Sequence, residues 1–472
     1  MENNNINNVL IFGNGPVALH LYLTLRKQGS NKVGLKIRDS LKAQKFYEEL
    51  KKEQFILEGK VKTELPLIAY GNTEVKPIIQ NYKEILDEWE TFILATPCDA
   101  YSDLLENIQF TSLKKLKTIV LVSPELSSAY FIKILLEKRG RNDINIISFS
   151  NYFGATNLAE GTYTKIIINA LKGKIYLAST NVNDTEILKW VKYLKNMEIE
   201  GVICKNPLIA ESKNITIFVH SPFLFNDVSL NQIFLKDPQK RYIYKLYPEG
   251  PITKYSIQDM VNLYHEIMEL YKKMKIETFN LLEFLNDSYP VLEESLHIDE
   301  IKSFMDKPKN EQIFLLYVRY CCILIDPYSV PDEEGKYFDF SKVEYSKIFL
   351  DKNNKWCIPR RPAEDYSKLN LLSQHYNYNF QFLHNLLHTC NKLNSHFNDS
   401  NYSEAAIILD ELSNIAYKEF NAIYSNSFIL NYVINNNLNK IIEHNIDIKT
   451  VIEYSNFENL DYTTQLHLFE YI

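Results

Sequence analysis

Glycine is scarce in this chain, 13 of 472 residues, and so is cysteine, with six. Cys98, Cys204, Cys321, Cys322, Cys357 and Cys390 form no C-x-x-C pair, which argues against a zinc or thiol-redox site and leaves them as reduced core thiols. Positive charge is not in surplus either: 52 Lys+Arg against 59 Asp+Glu leave a net charge of −7. With no dense basic run in addition, no groove for a phosphate backbone is expected, and nucleic acid is excluded as a partner. No apolar stretch reaches the ~20 uninterrupted residues that span a bilayer. The best, Phe314 to Ile325, contains Arg319 and stops at Asp326. The start, Met1-Glu2-Asn3-Asn4-Asn5, lacks the basic segment and small-residue cleavage site of a secretory signal. The expectation is a soluble cytoplasmic protein with no membrane partner. Its composition, 46% hydrophobic and 24% charged, is that of a folded chain with two or three cores.

Two of the few glycines, Gly13 and Gly15, stand close together near the beginning. Val9-Leu10-Ile11-Phe12 reads as a buried strand and meets Gly13-Asn14-Gly15-Pro16-Val17-Ala18 before a helical pattern, Leu19, Leu21, Leu23 and Leu25. This is G-x-G-x-x-A between strand and helix, the fingerprint of a dinucleotide site. Gly13 permits the tight turn, Gly15 keeps side-chain atoms away from a pyrophosphate, and Ala18 lets helix and strand close up. The N–H groups at the helix start then face the phosphates. A second strand, Lys32 to Ile37, ends in Arg38 rather than in the acidic residue that grips a ribose hydroxyl. Arg38, with Ser40 and Lys42, suits a 2′-phosphate, since a guanidinium pairs bidentately with phosphate oxygens. NADPH is the expected cofactor. Asp39 weighs against it, and a solvated basic helix start is the plainer alternative.

Further strand candidates follow at α/β spacing: 67–70, 91–96, 118–123, 145–150 and 174–177. They predict an α/β N-terminal domain with a doubly wound sheet of Rossmann type over residues 1–205. Ligands in such sheets bind at the carboxyl ends of strands, so the loops at Thr96-Pro97 and at Ser123 should border the nicotinamide half of the cofactor. From 206 to 472 long helical patterns prevail, as in 256–275 and 311–325, predicting a mainly α-helical second domain with an atypical helical extension from about 400. His384 and His388 stand at i, i+4, but with no Glu between them and no third ligand nearby, no metal site is expected.

The densest polar and aromatic constellation runs from Glu211-Ser212-Lys213-Asn214 through His220-Ser221-Pro222 and Asn226 to Tyr244 and Glu249. A reductase of a C=O or C=N bond needs an acid poised near neutral pH, and His220 is the candidate, with Glu249 to orient it. A core histidine satisfied by its neighbours is the plainer reading of His220 taken alone. Asn226 and Tyr244 are candidate substrate ligands in the same constellation.

Taken together, Gly13 to Ala18, Ser148-Phe149-Ser150-Asn151-Tyr152-Phe153-Gly154, Val219-His220-Ser221-Pro222, Tyr244 to Thr253, Leu316 to Tyr320, Ile325-Asp326-Pro327 and Tyr337 to Phe340 resemble the opine dehydrogenases that make metallophores. The resemblance is to their staphylopine- and pseudopaline-making branch and covers roughly residues 8 to 370. It implies condensation of a nicotianamine-like, histidine-derived primary amine with a 2-oxo acid, and NADPH reduction of the imine to a metal-chelating opine. It also implies a homodimer, His220 as the catalytic histidine, and Arg38 with Lys42 as the pair that selects NADPH. Tyr152, Arg319 and Asp326 are added as substrate-side residues, although Arg319 and Asp326 could instead form a structural ion pair. The staphylopine-making enzymes carry an acidic residue where this chain has Ala155. Loss of that charge removes a repulsion toward the second carboxylate of 2-oxoglutarate, so this acid is expected to be accepted beside pyruvate. Two rivals stand beside this reading: a Rossmann reductase of an oxo or hydroxy acid that needs no amine, and a non-catalytic NADPH-binding protein.

Overall fold

In the computed structural model the described residues are 6–325, except 62–63, 125, 127, 182, 225, 227, 230–245, 247–249, 274–275, 289–290, 292 and 294–295. The His384 and His388 pair and the expected extension from about 400 therefore lie outside them. The described residues divide into two units, with the break between Asn214 and Ile215.

The first unit begins β1 (Val9–Phe12), α1 (Pro16–Lys27), β2 (Val33–Lys36), α2 (Leu41–Lys52), β3 (Ile56–Val61), β4 (Gly71–Glu74), β5 (Ile78–Ile79) and β6 (Thr91–Leu94). It continues α3 (Tyr101–Glu106), β7 (Thr118–Leu121), α4 (Ser128–Glu137), β8 (Asn145–Phe149), β9 (Gly154–Leu158) and β10 (Lys165–Leu171). It closes with β11 (Lys174–Ser179), α5 (Glu186–Lys195), β12 (Glu200–Ile203) and α6 (Pro207–Ser212). Eight strands form the large sheet in the order β12-β11-β8-β7-β6-β1-β2-β5. From β5 to β8 every pairing is parallel, while β11 runs antiparallel to β8. This is the doubly wound Rossmann arrangement. Each of β1, β6 and β7 is buried at all four positions, which is why Val-Leu-Ile-Phe, Thr-Phe-Ile-Leu and Thr-Ile-Val-Leu carry no polar alternation.

A second sheet, β4-β3-β10-β9, was not anticipated. The expected strand at 67–70 is instead a 3₁₀ turn, Leu67–Ala69, entered from Pro66. The carbonyls of Leu67 and Tyr70 accept from Lys27 Nζ, which holds this turn against α1, and the strand starts only at Gly71. Strands of this sheet pack on the face of α1 that a Rossmann helix ordinarily leaves to solvent. Every residue of α1 from Ala18 to Leu25 is consequently buried. Gly59 of β3 lies against α1, where a β-carbon would stand 2.9 Å from Leu23 Cδ1 and push that side chain aside. A second tie comes from α2, where the Glu49 carboxylate accepts from the N–H groups of Tyr163 and Thr164 at 3.0 and 3.1 Å and from Thr164 Oγ1 at 2.6 Å. These residues form the turn between β9 and β10.

The second unit is helical over its described residues. Its helix α7 (Thr216–Leu224) and the helix Lys309–Ile325 both pack on the 20-residue helix Lys254–Lys273. That helix buries Ile257, Met260, Val261, Tyr264, Ile267, Met268 and Tyr271, an i, i+3, i+4 stripe.

Burial of α1 on both sides encloses His20. Its Nε2 lies 2.9 Å from the Ala69 carbonyl, an acceptor only, so this nitrogen carries the hydrogen. Nδ1 then accepts from the Tyr152 hydroxyl. Desolvation lowers the His20 pKa from 6.5 to about 4, opposed only in part by the Ala69 bond. Between those values the unfolded chain binds a proton that the folded chain refuses, so stability falls as pH drops through this window and is untouched above it. Across the whole window the loss is about 3 kcal/mol. Thermal melts from pH 7.5 to 4 should therefore show a shallower acid decline for His20→Asn than for wild type, from a lower starting stability; parallel declines would refute the assignment.

Candidate dinucleotide and active site

The carboxyl ends of the parallel strands present the residues singled out from the sequence in one row: Arg38 after β2, Gly13 to Ala18 after β1, Thr96 and Pro97 after β6, Ser123 after β7. The order of the sheet reverses between β1 and β6, the switch point where such sheets bind ligands. Gly13 makes the turn there. Its φ is +129°, and a β-carbon would lie 2.9 Å from the carbonyl oxygen of Ala95, the residue directly after β6. Ala18 stands directly behind it, with its β-carbon 3.5 Å from that same position. Gly15 is different: its φ of −82° suits any residue, and a β-carbon would meet nothing within 4 Å. The space it leaves is open.

Gly15 is also the N-cap of α1, where no side chain satisfies the first N–H groups and Pro16 opens the first turn. No acidic residue occupies that turn, so the positive end of the helix is uncompensated. Two further groups flank the switch point. Asn14 Nδ2 and Thr96 Oγ1 are buried polar atoms with no hydrogen-bond partner among the described residues. A buried donor left unpaired costs on the order of 1–3 kcal/mol, a cost that a ligand with phosphate or amide oxygens would remove. The residues present thus fit a dinucleotide.

At the end of β2 the charges are sorted by exposure. Arg38 and Lys42 are exposed and pair with no carboxylate among the described residues. Asp39 turns to Gln44, whose Nε2 donates to it at 3.3 Å, and Ser40 caps α2 by accepting from the Ala43 N–H. Lys36, which sequence reasoning did not single out, is 3% exposed. Its Nζ donates to the carbonyls of Ile37 at 2.8 Å and Gln80 at 3.0 Å and sits 4.0 Å from the Tyr82 ring centroid. Burial holds its pKa below the ordinary lysine value, with Glu84 opposing. A strand-end lysine is indistinguishable from a surface one in sequence, so nothing in the pattern could have marked it.

Other expected residues sit as follows. Ser123 joins Asn151 and Asn214 in a chain of hydrogen bonds at the ends of β7 and β8. Tyr152 is 7% exposed, and its hydroxyl is held by His20 and Thr156; burial keeps it far above the ordinary tyrosine pKa. Ala155 is half-buried on β9, paired with Ala170 beside a register shift. In the second unit His220 lies on α7, with its side chain outside the described residues. Asn226 caps that helix, its Nδ2 donating to the Pro222 and Phe223 carbonyls at 2.8 and 3.1 Å while Oδ1 accepts from Ser229. Arg319 is 1% exposed and donates from Nη2 to the Leu285 carbonyl at 2.7 Å. Tyr244, Glu249 and Asp326 lie outside the described residues.

A family model described as Staphylopine dehydrogenase matches residues 7–415. The chain belongs to the staphylopine dehydrogenase family. It is thus an oxidoreductase of the opine dehydrogenase kind. Staphylopine synthase of Staphylococcus aureus (strain Mu50) is 34% identical over 362 residues, 76% of this chain and 83% of that one. Pseudopaline synthase of Pseudomonas aeruginosa (strain UCBPP-PA14) is 34% identical over 370 residues, 78% and 84% of the two chains. The structure of yersinopine dehydrogenase with NADP+ bound superposes at a TM-score of 0.72 and 26% identity, covering 88% of this chain and 99% of that one. Among the described residues no helix is long and apolar enough to cross a membrane.

The two glycines of the turn make separable demands. Gly13→Ala should destabilise the protein by about 2 kcal/mol or more, from strained φ and the clash with Ala95. Gly15→Ala should leave the melting temperature close to wild type while weakening dinucleotide binding. Melting curves with and without dinucleotide check both, and equal destabilisation by the two changes would contradict the geometry.

Proposed function

We propose that this protein is an NADPH-dependent opine metallophore synthase. It joins the primary amine of a nicotianamine-like, histidine-derived intermediate to a 2-oxo acid, with loss of water, and reduces the resulting imine to a secondary amine. The observation that carries the cofactor part is the open space at Gly15 flanked by the orphaned Asn14 Nδ2 and Thr96 Oγ1. Family membership supports the reaction. When bound, NADPH would supply the hydride.

This chain's own residues do the rest. The first-turn N–H groups of α1 hold the pyrophosphate, and Arg38 with Lys42, both exposed and uncommitted among the described residues, take the 2′-phosphate. His220 supplies the proton that the reduction requires and is oriented by Glu249. Ala155, on an edge strand and lacking charge, leaves room for the second carboxylate of 2-oxoglutarate beside pyruvate. A homodimer and a cytoplasmic location belong to the same proposal.

The deciding experiment follows NADPH oxidation by absorbance with a nicotianamine-type amine and either pyruvate or 2-oxoglutarate, omitting each component in turn and weighing the product by mass spectrometry. Oxidation that needs both substrates and yields the reduced condensate is expected. Oxidation with the oxo acid alone would instead indicate a reductase that needs no amine, and a strong preference for pyruvate would overturn the role given to Ala155.

Two substitutions sharpen the residue assignments. His220→Ala should lower kcat by ~100-fold while NADPH still binds, the usual share of a general acid. Arg38→Ala should raise KM for NADPH about tenfold or more and leave KM for NADH nearly unchanged, because only the former carries the phosphate. Equal effects on the two dinucleotides would remove Arg38 from the site.

A further inference from the structure

Asn151, just beyond β8, takes part in three hydrogen bonds. Its Oδ1 accepts from the Tyr152 backbone N–H at 2.8 Å and from Ser123 Oγ at 3.2 Å, while its Nδ2 donates to Asn214 Oδ1 at 3.0 Å. A backbone N–H can only donate, so the atom facing Tyr152 must be the amide oxygen, and the side chain cannot be turned about. Ser123 meets that same oxygen. Its hydroxyl proton is therefore directed inward, and only its lone pairs remain for anything else. Ser123 is half-buried at the carboxyl end of β7, two strands from the switch point.

We propose that Asn151 is a positioning residue that fixes Ser123 as an acceptor for the carboxamide N–H of the nicotinamide ring. This rests on the NADPH reading above. A nicotinamide carboxamide offers a carbonyl at one end and N–H groups at the other. A freely rotating hydroxyl would serve either end, whereas the polarised Ser123 serves only the N–H end and so favours one setting of the amide. The substrate amine is the competing source of an N–H donor, and an analogue altered only at the amide separates the two.

The test measures binding of NADPH and of reduced 3-acetylpyridine adenine dinucleotide phosphate, in which a methyl group replaces the amide nitrogen. Wild type, Ser123→Ala, Asn151→Ala and Asn151→Asp are compared by fluorescence titration. Wild type should prefer NADPH about fivefold, the worth of one hydrogen bond. The preference should fall toward one in Ser123→Ala and Asn151→Ala and persist in Asn151→Asp, which keeps the acceptor that orients Ser123. A wild-type preference in Ser123→Ala overturns the proposal even if Asn151→Ala does not fold. Its survival in Asn151→Ala alone overturns the positioning role. Failure of wild type to bind either dinucleotide would remove the NADPH reading as well.

Discussion

The first unit depends on a contact that only glycine permits. At Gly13 the chain leaves β1 with φ +129° and passes so near the Ala95 carbonyl that a β-carbon would stand 2.9 Å from it. That closeness brings the ends of β1 and β6 together, sets Asn14 and Thr96 on either side of the switch point, and aims α1 with its N-terminal N–H groups toward the same crevice. No side chain could be added without moving the backbone at Ala95, the residue directly after β6. The local turn and the strand order of the sheet thus enforce one another.

Burial of α1 is the second organising feature. An ordinary Rossmann helix needs one apolar face, but this one is covered by the large sheet on one side and the small sheet on the other, so its polar residues must be satisfied internally. His20 is held by Ala69 and Tyr152, and Thr24 donates to the His20 carbonyl. The Tyr152 hydroxyl is thereby drawn into the core of the unit. The pH sensitivity of the fold follows from the same enclosure, since burial away from water disfavours the charged imidazolium.

What could be read from the sequence was what local chemistry dictates. Continuous apolar runs ending in turn residues identified β1, β6, β7 and β8, and the G-x-G-x-x-A turn located the crevice, because both are written in a few adjacent residues. The small sheet was illegible for the opposite reason. Strand β3 pairs with β10 across more than a hundred residues, and Gly-Ala-Thr-Asn-Leu in β9 has no strand-like alternation to betray it. Leu67 to Tyr70 looked like a strand, but Lys27, distant in sequence, takes its carbonyls. The polarity of Ser123 and the burial of Lys36 likewise depend on partners that no spacing rule reveals.

Glu49 gives α2 a double allegiance. Its first residues follow Arg38 and include Lys42, while three bonds near its other end hold the turn that joins β9, the strand of Ala155, to β10. Any attempt to re-engineer nucleotide preference by grafting a foreign segment over residues 38–52 would also remove the carboxylate that satisfies Tyr163 and Thr164. Two backbone donors in the turn between β9 and β10 would then lose that acceptor. A graft that retains Glu49 would keep the tie between α2 and the small sheet; one that does not would loosen that sheet as well.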